Sequence, residues 1–252
     1  MKLIIGQWCY SPKLVSSLLA LVFFYLFVSL GFWQLDRAEY KRNLYAEFES
    51  RQSGDVLDLN QEDLGSLSHD ELLWQPVTMS GVFLEQYQIL LDNQVENTQA
   101  GYYVYTPFKL DNSEHVVLVN RGWLLADTDR AVSPALVSTS GLVNISAAIK
   151  ETPKTGLLLK EFPPEQMSEF IYRVQRINID ELAGLTKTTL LPYIVRLEPE
   201  SEHGYQRQWR LPGSGESVHN GYAFQWFAFA AALLIIYLVT NIKKSQGMGK
   251  DT

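Results

Sequence analysis

Residues 14–35, LVSSLLALVFFYLFVSLGFWQL, form a run of 22 residues without a charged side chain. A second uncharged run of 23 residues, NGYAFQWFAFAAALLIIYLVTNI, occupies residues 220–242. With a rise of about 1.5 Å per residue, a helix of either length crosses the hydrocarbon core of a bilayer, which is about 30 Å thick. The two runs therefore predict a hairpin of transmembrane helices at the two ends of the chain.

The two runs divide the chain into five predicted segments. Tails at residues 1–13 and 243–252 flank the membrane helices at 14–35 and 220–242, and residues 36–219 form one extracytoplasmic domain between the helices. Only 46% of the residues are hydrophobic, which is too polar for a multispanning transporter. A central domain of this length can bury a core without disulfides.

The first run is predicted to be an uncleaved anchor. The apolar region of a signal peptide has about 7 to 15 residues and ends at a small-residue cleavage site, whereas this run is longer and ends in Trp33-Gln34-Leu35. Cys9 precedes the run and is the single cysteine of the chain, so neither an intramolecular disulfide nor a Cys-x-x-Cys redox or metal site can form.

The charge bias next to the membrane does not settle orientation. Basic residues are nearly as frequent in the tails as in the flanking parts of the central domain. Long domains are translocated largely regardless of their charge, and Lys243-Lys244 is typical of a cytoplasmic end. We expect both termini in the cytoplasm of a bacterium and the central domain in the periplasm, or the equivalent arrangement at the mitochondrial inner membrane.

Charge is distributed unevenly along the chain. The net charge is −7, but the tails carry about +4, which leaves 16 basic against 27 acidic residues, or about −11, on the rest. An acidic surface is unsuited to nucleic acid or to anionic headgroups. The expected partners are therefore proteins or apolar molecules, together with the lipid around the helices, and no nucleic acid.

Short runs rich in Val, Ile, Tyr and Phe predict an α+β domain with a mainly antiparallel β core. Seven strands are expected, at residues 75–84, 87–92, 102–110, 115–125, 142–149, 170–177 and 193–197. The first membrane helix should continue to about Arg51, where Ser53-Gly54-Asp55 breaks it before an irregular stretch to Asp70. We also expect a turn at residues 111–113, a loop at 152–165, and a short helix at 180–185 with Asn178 or Asp180 as its N-cap.

The usual catalytic and metal-binding patterns are missing from the sequence. None of the four histidines, His69, His115, His203 and His219, has a metal-ligand spacing to another. Gly213-Ser214-Gly215 lacks the pattern Gly-x-Ser-x-Gly, and no phosphate-binding glycine loop is present. We therefore expect no enzyme activity, and a membrane-tethered enzyme is the weakest of the alternatives.

The outer ends of the two predicted membrane helices are rich in aromatic residues. An aromatic belt at headgroup depth accounts for the rings, but not for His219 beside them. On a helix, residues 219, 222, 226 and 230 would share one face, which places an imidazole above Tyr222 and Trp226. Such a histidine could ligate the iron of a lipophilic haem, or it could simply cap the helix or form a hydrogen bond.

Three motifs carry a resemblance to a known family. They are LGFWQLDR at residues 30–37 followed by Lys41, VNRGW at 119–123, and HNGYAFQWF at 219–227. They resemble motifs of the surfeit-locus-one family of cytochrome c oxidase assembly factors, which includes the yeast Shy proteins. Segments 81–83 and 101–107 are also similar, so the resemblance extends over residues 14–242, although residues 124–127 depart from the family pattern.

The resemblance implies a haem a site at the outer ends of the membrane helices. His219 would be the iron ligand, with Tyr222 below it, Trp33 and Trp226 would flank the macrocycle, and Arg37 or Arg121 would pair with a propionate. For Arg121 the alternative is structural, because Asn120-Arg121-Gly122 resembles a turn or bulge whose arginine bonds nearby carbonyls.

The resemblance also implies a function and partners. The chain would be a chaperone-like assembly factor of haem-copper oxidase that aids insertion of haem a into the catalytic subunit or stabilises that subunit. The catalytic subunit and haem A synthase are the candidate partners. The alternative is a membrane scaffold that holds an oxidase assembly intermediate without binding haem.

Overall fold

The computed structural model of the protein describes residues 3–5, 8–61, 72–153 and 162–244. Its contacts divide the chain into two compact units. Residues Met1–Glu47 and Arg210–Thr252 form the membrane unit, and Phe48–Trp209 form the β unit.

The described elements are three helices and twelve strands. The helices are α1 (Leu14–Gln52), α2 (Ile179–Thr186) and α3 (Glu216–Asn241). The strands are β1 (Leu3–Ile5), β2 (Trp8–Tyr10), β3 (Leu57–Asp58), β4 (Pro76–Phe83), β5 (Gln88–Glu96), β6 (Gln99–Leu110), β7 (Val116–Leu125), β8 (Val143–Lys150), β9 (Glu165–Gln166), β10 (Ile171–Val174), β11 (Leu190–Leu197) and β12 (Ile242–Lys244). The α+β class predicted from the sequence is confirmed.

In the membrane unit, α1 and α3 are both long and apolar enough to cross a bilayer. Helix α1 contains the whole run 14–35 and continues to Gln52, immediately before the predicted break at Ser53. Helix α3 begins at Glu216, four residues before the second uncharged run. The helix therefore includes His219, which the pattern placed at its start.

A small sheet at the ends of the helices was not predicted. Strand β2 pairs antiparallel with β1 on one side and with β12 on the other, with Tyr10 opposite Ile242. Beside it, the Tyr237 hydroxyl lies 3.2 Å from the hydroxyl of Tyr10 and 2.6 Å from that of Ser17. The predicted tails, together with Ile242 from the end of the predicted second membrane helix, thus form a sheet beside the first turn of α1 and the last turns of α3.

In the β unit, nine strands form one sheet in the order β3-β4-β8-β11-β7-β6-β5-β10-β9. Strand β4 also pairs with β6, so β4, β8, β11, β7 and β6 close into a ring. Most neighbours are antiparallel, as predicted, but β11 pairs with β7 in parallel, as do β10 with β5 and β3 with β4. All seven predicted strands are present.

The β unit buries two main apolar clusters, one on each face of the central strands. One includes Met79, Phe108, Val119, Val195 and Leu197. The other lies between the opposite face and α2 and includes Ile89, Tyr105, Leu118, Leu182 and Ile194. Strand residues alternate between the two clusters because side chains in a strand point to opposite faces in turn.

Local predictions in the β unit have mixed outcomes. The N-cap of α2 is Asn178, whose Oδ1 accepts a hydrogen bond from the Glu181 backbone at 3.1 Å. Residues 111–113 form the predicted turn between β6 and β7. The stretch expected to be irregular contains β3, which pairs with β4. The rest of that stretch from 62 on, and most of the predicted loop, 154–161, lie outside the described residues.

Candidate functional site

A polar pair joins the two long helices at the level of the predicted site. Nδ1 of His219 lies 2.7 Å from Oε1 of Gln34. Gln34 is only 9% exposed, and His219 is half-buried. An amide buried between apolar helices is costly unless it is hydrogen-bonded, so this contact fixes the register of α1 against α3.

Small residues let the two helices approach closely on either side of the pair. Ala38 on α1 and Ala223 and Ala230 on α3 are buried. A Cβ atom on Gly31 would lie 2.6 Å from the Phe227 ring, which shows that the ring occupies the space a larger residue would fill. Small residues at the contact are typical of helices that pack within a membrane.

Four of the predicted site residues share one flank of the helix pair. The helices are antiparallel. Side chains at positions 33 and 37 of α1, one before and three after Gln34, point to one flank of the helix pair. Side chains at positions 222 and 226 of α3, three and seven after His219, point to the same flank. The residues at these offsets are Trp33, Arg37, Tyr222 and Trp226. We call this side the aromatic flank. The contacts Gly31–Phe227 and Arg42–Glu216, the latter an ion pair of 2.8 Å, lie on the other flank.

The aromatic flank offers both exposed rings and a cation. Trp33 and Tyr222 are each 48% exposed. The Arg37 guanidinium lies 5.7 Å from the centre of the Trp33 ring, a cation–π distance. Tyr222 therefore stands on the flank, while the residue of α3 buried against α1 is Ala223. Of the four residues predicted to share one face, His219 and Ala230 therefore lie at the contact with α1, whereas Tyr222 and Trp226 lie on the aromatic flank.

Trp226 leads from this flank into a deeper aromatic cluster. Its ring stacks on Phe27 at 5.8 Å between centroids and meets Phe229 edge-on at 5.9 Å. Phe27 also contacts Phe23 at 6.1 Å. Rings of both helices therefore extend the aromatic flank towards the middle of the predicted membrane spans.

Arg121 lies in the β unit, where its side chain is fully buried. It donates hydrogen bonds to the backbone carbonyl of His203 at 2.7 Å and to Thr139 Oγ1 at 3.1 Å, and its guanidinium lies 4.6 Å from the Phe83 ring centre. Burial lowers the pKa of Arg121, against the opposing effects of Tyr205 and Glu85. The structural alternative accounts for these contacts, and a propionate role for Arg121 stays a prediction.

The sequence carries one signal for Gln34, which is absent from the predicted site residues. A strongly polar side chain in an apolar span needs a partner, and Gln34 is the only amide between residues 14 and 35. The identity of the partner depends on the register of two helices separated by about 180 residues, which periodicity does not reveal. His219 was predicted as a ligand without its neighbour.

The residues present fit a haem-type iron ligand. The Gln34 contact occupies Nδ1 of His219, and Nε2 has no hydrogen-bond partner among the described residues. No group of three or more His, Cys, Asp or Glu side chains suited to a metal ion occurs in the described ranges. A single imidazole beside aromatic rings suits a metal that brings its own macrocycle.

Comparison with known proteins gives relatives over most of the chain. The sequence model of the SURF1 family matches residues 21–231. The SURF1-like protein of Rickettsia bellii is 25% identical over 231 residues, which cover 89% of this chain and 90% of the relative.

Two other relatives match over shorter parts. The SURF1-like protein of Caenorhabditis briggsae is 28% identical over 179 residues, 64% of this chain and 55% of the relative. The cytochrome oxidase assembly protein SHY1 of Saccharomyces cerevisiae is 27% identical over 139 residues, 54% of this chain and 33% of the relative. This chain therefore matches about half of the nematode protein and a third of the yeast protein. The family match covers most of the chain, including the aromatic flank, Gln34, His219 and the whole β unit, and the chain therefore belongs to the SURF1 family.

Proposed function

We propose that this protein acts in the assembly of cytochrome oxidase by aiding insertion of haem a into the catalytic subunit or by stabilising that subunit. Membership of the SURF1 family and the name of the yeast relative, a cytochrome oxidase assembly protein, support the general role. The observation that carries the haem proposal is the His219–Gln34 pair, which engages one imidazole nitrogen and leaves the other without a described partner.

In this proposal His219, the aromatic rings and Arg37 have separate roles in holding the haem. His219 would hold the iron through Nε2, while the rings of Trp33, Tyr222 and Trp226 would contact the macrocycle. Arg37, held over Trp33, would pair with a propionate through charge-assisted hydrogen bonds. Haem a would supply the redox-active iron that the oxidase needs, and this protein would only bind and orient it.

A single protein ligand suits a carrier. Several strong protein ligands would hold a haem firmly, whereas the one half-buried imidazole of His219 would hold it loosely enough to pass it on. We therefore assign this protein no catalytic turnover. Its place would be the inner membrane, as a two-span protein with cytoplasmic termini, in contact with lipid, the catalytic subunit and haem A synthase.

The haem proposal is tested by purification after co-expression with the enzymes that make haem A. We expect the full-length protein to carry a haem absorption band, and His219→Ala to lose most of it because the iron ligand is gone. His115→Ala removes an exposed histidine of the β unit and is the matched control, which should keep the band. A wild-type protein that purifies without haem, while oxidase assembly still depends on it, would contradict the carrier role.

That last outcome would favour the scaffold, which the exposed aromatic side chains also suit. Trp33 and Tyr222 present large rings where a transmembrane helix of a partner could pack. A scaffold predicts that His219→Ala leaves oxidase assembly intact, while Trp33→Ala or Trp226→Ala reduces recovery of the oxidase subunit in a pull-down.

A further inference from the structure

The amide of Gln34 is buried at the contact between the two long helices. The side chain is 9% exposed and lies between α1 and α3, near the ends of the two uncharged runs. A buried amide that lacks a hydrogen-bond partner is costly, so Gln34 needs a partner within the protein. The described partner of Gln34 Oε1 is Nδ1 of His219 at 2.7 Å.

The atoms of this contact decide which nitrogen of His219 can bind a metal. An amide oxygen only accepts hydrogen bonds, so the Nδ1 atom that faces it must carry the proton. In a neutral imidazole the Nε2 atom then has a free lone pair. If the amide nitrogen faced Nδ1 instead, Nε2 would carry the proton and could not ligate iron.

We propose that Gln34 is a positioning residue, which holds His219 in the tautomer and ring orientation whose Nε2 can ligate iron. This inference rests on the proposed haem function and adds a residue of the other helix to the site. It also makes the site depend on the packing of α1 against α3, because the ligand and its orienting group come from different helices.

An amide is a partner suited to reversible binding. A carboxylate at this position would draw the Nδ1 proton more strongly and increase the electron density on the ligating nitrogen. A neutral amide orients the ring with less of that effect. We therefore expect a carboxylate at position 34 to hold ferric iron more tightly and to lower the reduction potential of the bound haem.

The tautomer can be measured without haem. In full-length protein labelled with ¹⁵N-histidine in detergent micelles, the ¹⁵N shifts show which ring nitrogen carries the proton, and comparison with His219→Ala identifies the His219 signals. We expect the Nδ1–H form in the wild type near pH 8 and a shift towards the Nε2–H form in Gln34→Leu. Gln225→Leu changes an exposed glutamine on α3 and should leave the signals unchanged.

The haem-loaded protein gives a second, independent measurement. Loss of an outer-shell partner typically costs about 10- to 100-fold in metal affinity, and we expect Gln34→Leu to weaken haem binding to that extent. Gln34→Glu should keep the band and lower the reduction potential, which a purely structural amide would not do. This variant also retains a polar partner for His219 if Gln34→Leu fails to fold.

Two results would overturn the inference. One is an Nε2–H tautomer in the wild type, and the other is a haem affinity and potential that do not change in the position-34 variants. If the wild type takes up no haem, the proposed function fails, but the tautomer measurement still shows whether Gln34 positions His219.

Discussion

Arg121 shows how the β unit accommodates a cation in its interior. Its guanidinium donates to a backbone carbonyl and a threonine hydroxyl and lies over the ring of Phe83. The carboxylate of Glu85 is 4.0 Å away and is itself bonded to the backbone and side chain of the segment at Ser138 and Thr139. The arginine therefore links β7 to two loops as well as compensating a half-buried acid.

Replacing this arginine tests its two possible roles. Arg121→Met should lower the free energy of unfolding by about 3 kcal/mol, because the His203 carbonyl and the buried Thr139 hydroxyl lose their donor and Glu85 loses the cation 4.0 Å away. Denaturant unfolding of the full chain in micelles, followed by tryptophan fluorescence, measures the change. Arg210→Met, at an exposed position, is the control. A variant of unchanged stability that loses its haem band would instead indicate a propionate ligand.

At the scale of the helices, the contact between α1 and α3 depends on small residues. Gly31 faces the ring of Phe227 so closely that a methyl group would displace the ring. Gly221 on α3 has no neighbouring atom within 4 Å of the position a Cβ would take. The two glycines thus offer the same substitution at a packed and an open position of the membrane unit.

The Gly31→Ala variant should lower the thermal stability of the helix pair and reduce haem uptake, since the displaced ring separates α1 from α3 beside Gln34 and His219. Gly221→Ala should be neutral or slightly stabilising, because alanine favours a helix by up to about 1 kcal/mol over glycine. Melting in micelles together with the haem band measures both effects. Equal melting temperatures and equal haem bands in the two variants would show that the close approach at Gly31 does not stabilise the helix pair.

The elements also show which parts of the structure can be read from the sequence. The seven predicted strands and both membrane helices follow from local hydrophobic patterns, and Asn178 caps α2 through its own side chain. The two-residue strand β3 and the three-residue strands of the terminal sheet are too short to show a period. The parallel pairing of β11 with β7 depends on strands far apart in the chain.

The site, too, can be predicted only in part from the sequence. The rings of Trp33 and Trp226 and the histidine at position 219 were identifiable from the sequence as an aromatic belt with an imidazole beside it. Their division between a buried contact and an exposed flank follows from the rotation of each helix about its axis. That rotation is set by Gln34, Gly31 and Ala223, whose importance appears only when both helices are seen together.

At the scale of the whole molecule, the distribution of charge does not by itself set the orientation of the protein in the membrane. The tails carry about +4 and the remaining chain about −11, yet the basic residues closest to the membrane are balanced. Our expectation of cytoplasmic termini rests on the lysines that follow α3 and on the translocation of long domains largely regardless of their charge.

Labelling of single cysteines tests that expectation on the intact chain. In a Cys9→Ser background, Val95→Cys places a thiol on an exposed site of the β unit, and Trp8→Cys places one at the exposed first position of β2. A maleimide that cannot cross membranes should label Val95→Cys in intact spheroplasts, and should label Trp8→Cys only after permeabilisation, because the tail would face the cytoplasm. The reverse pattern would place the β unit in the cytoplasm, and labelling of both thiols from outside would exclude cytoplasmic termini.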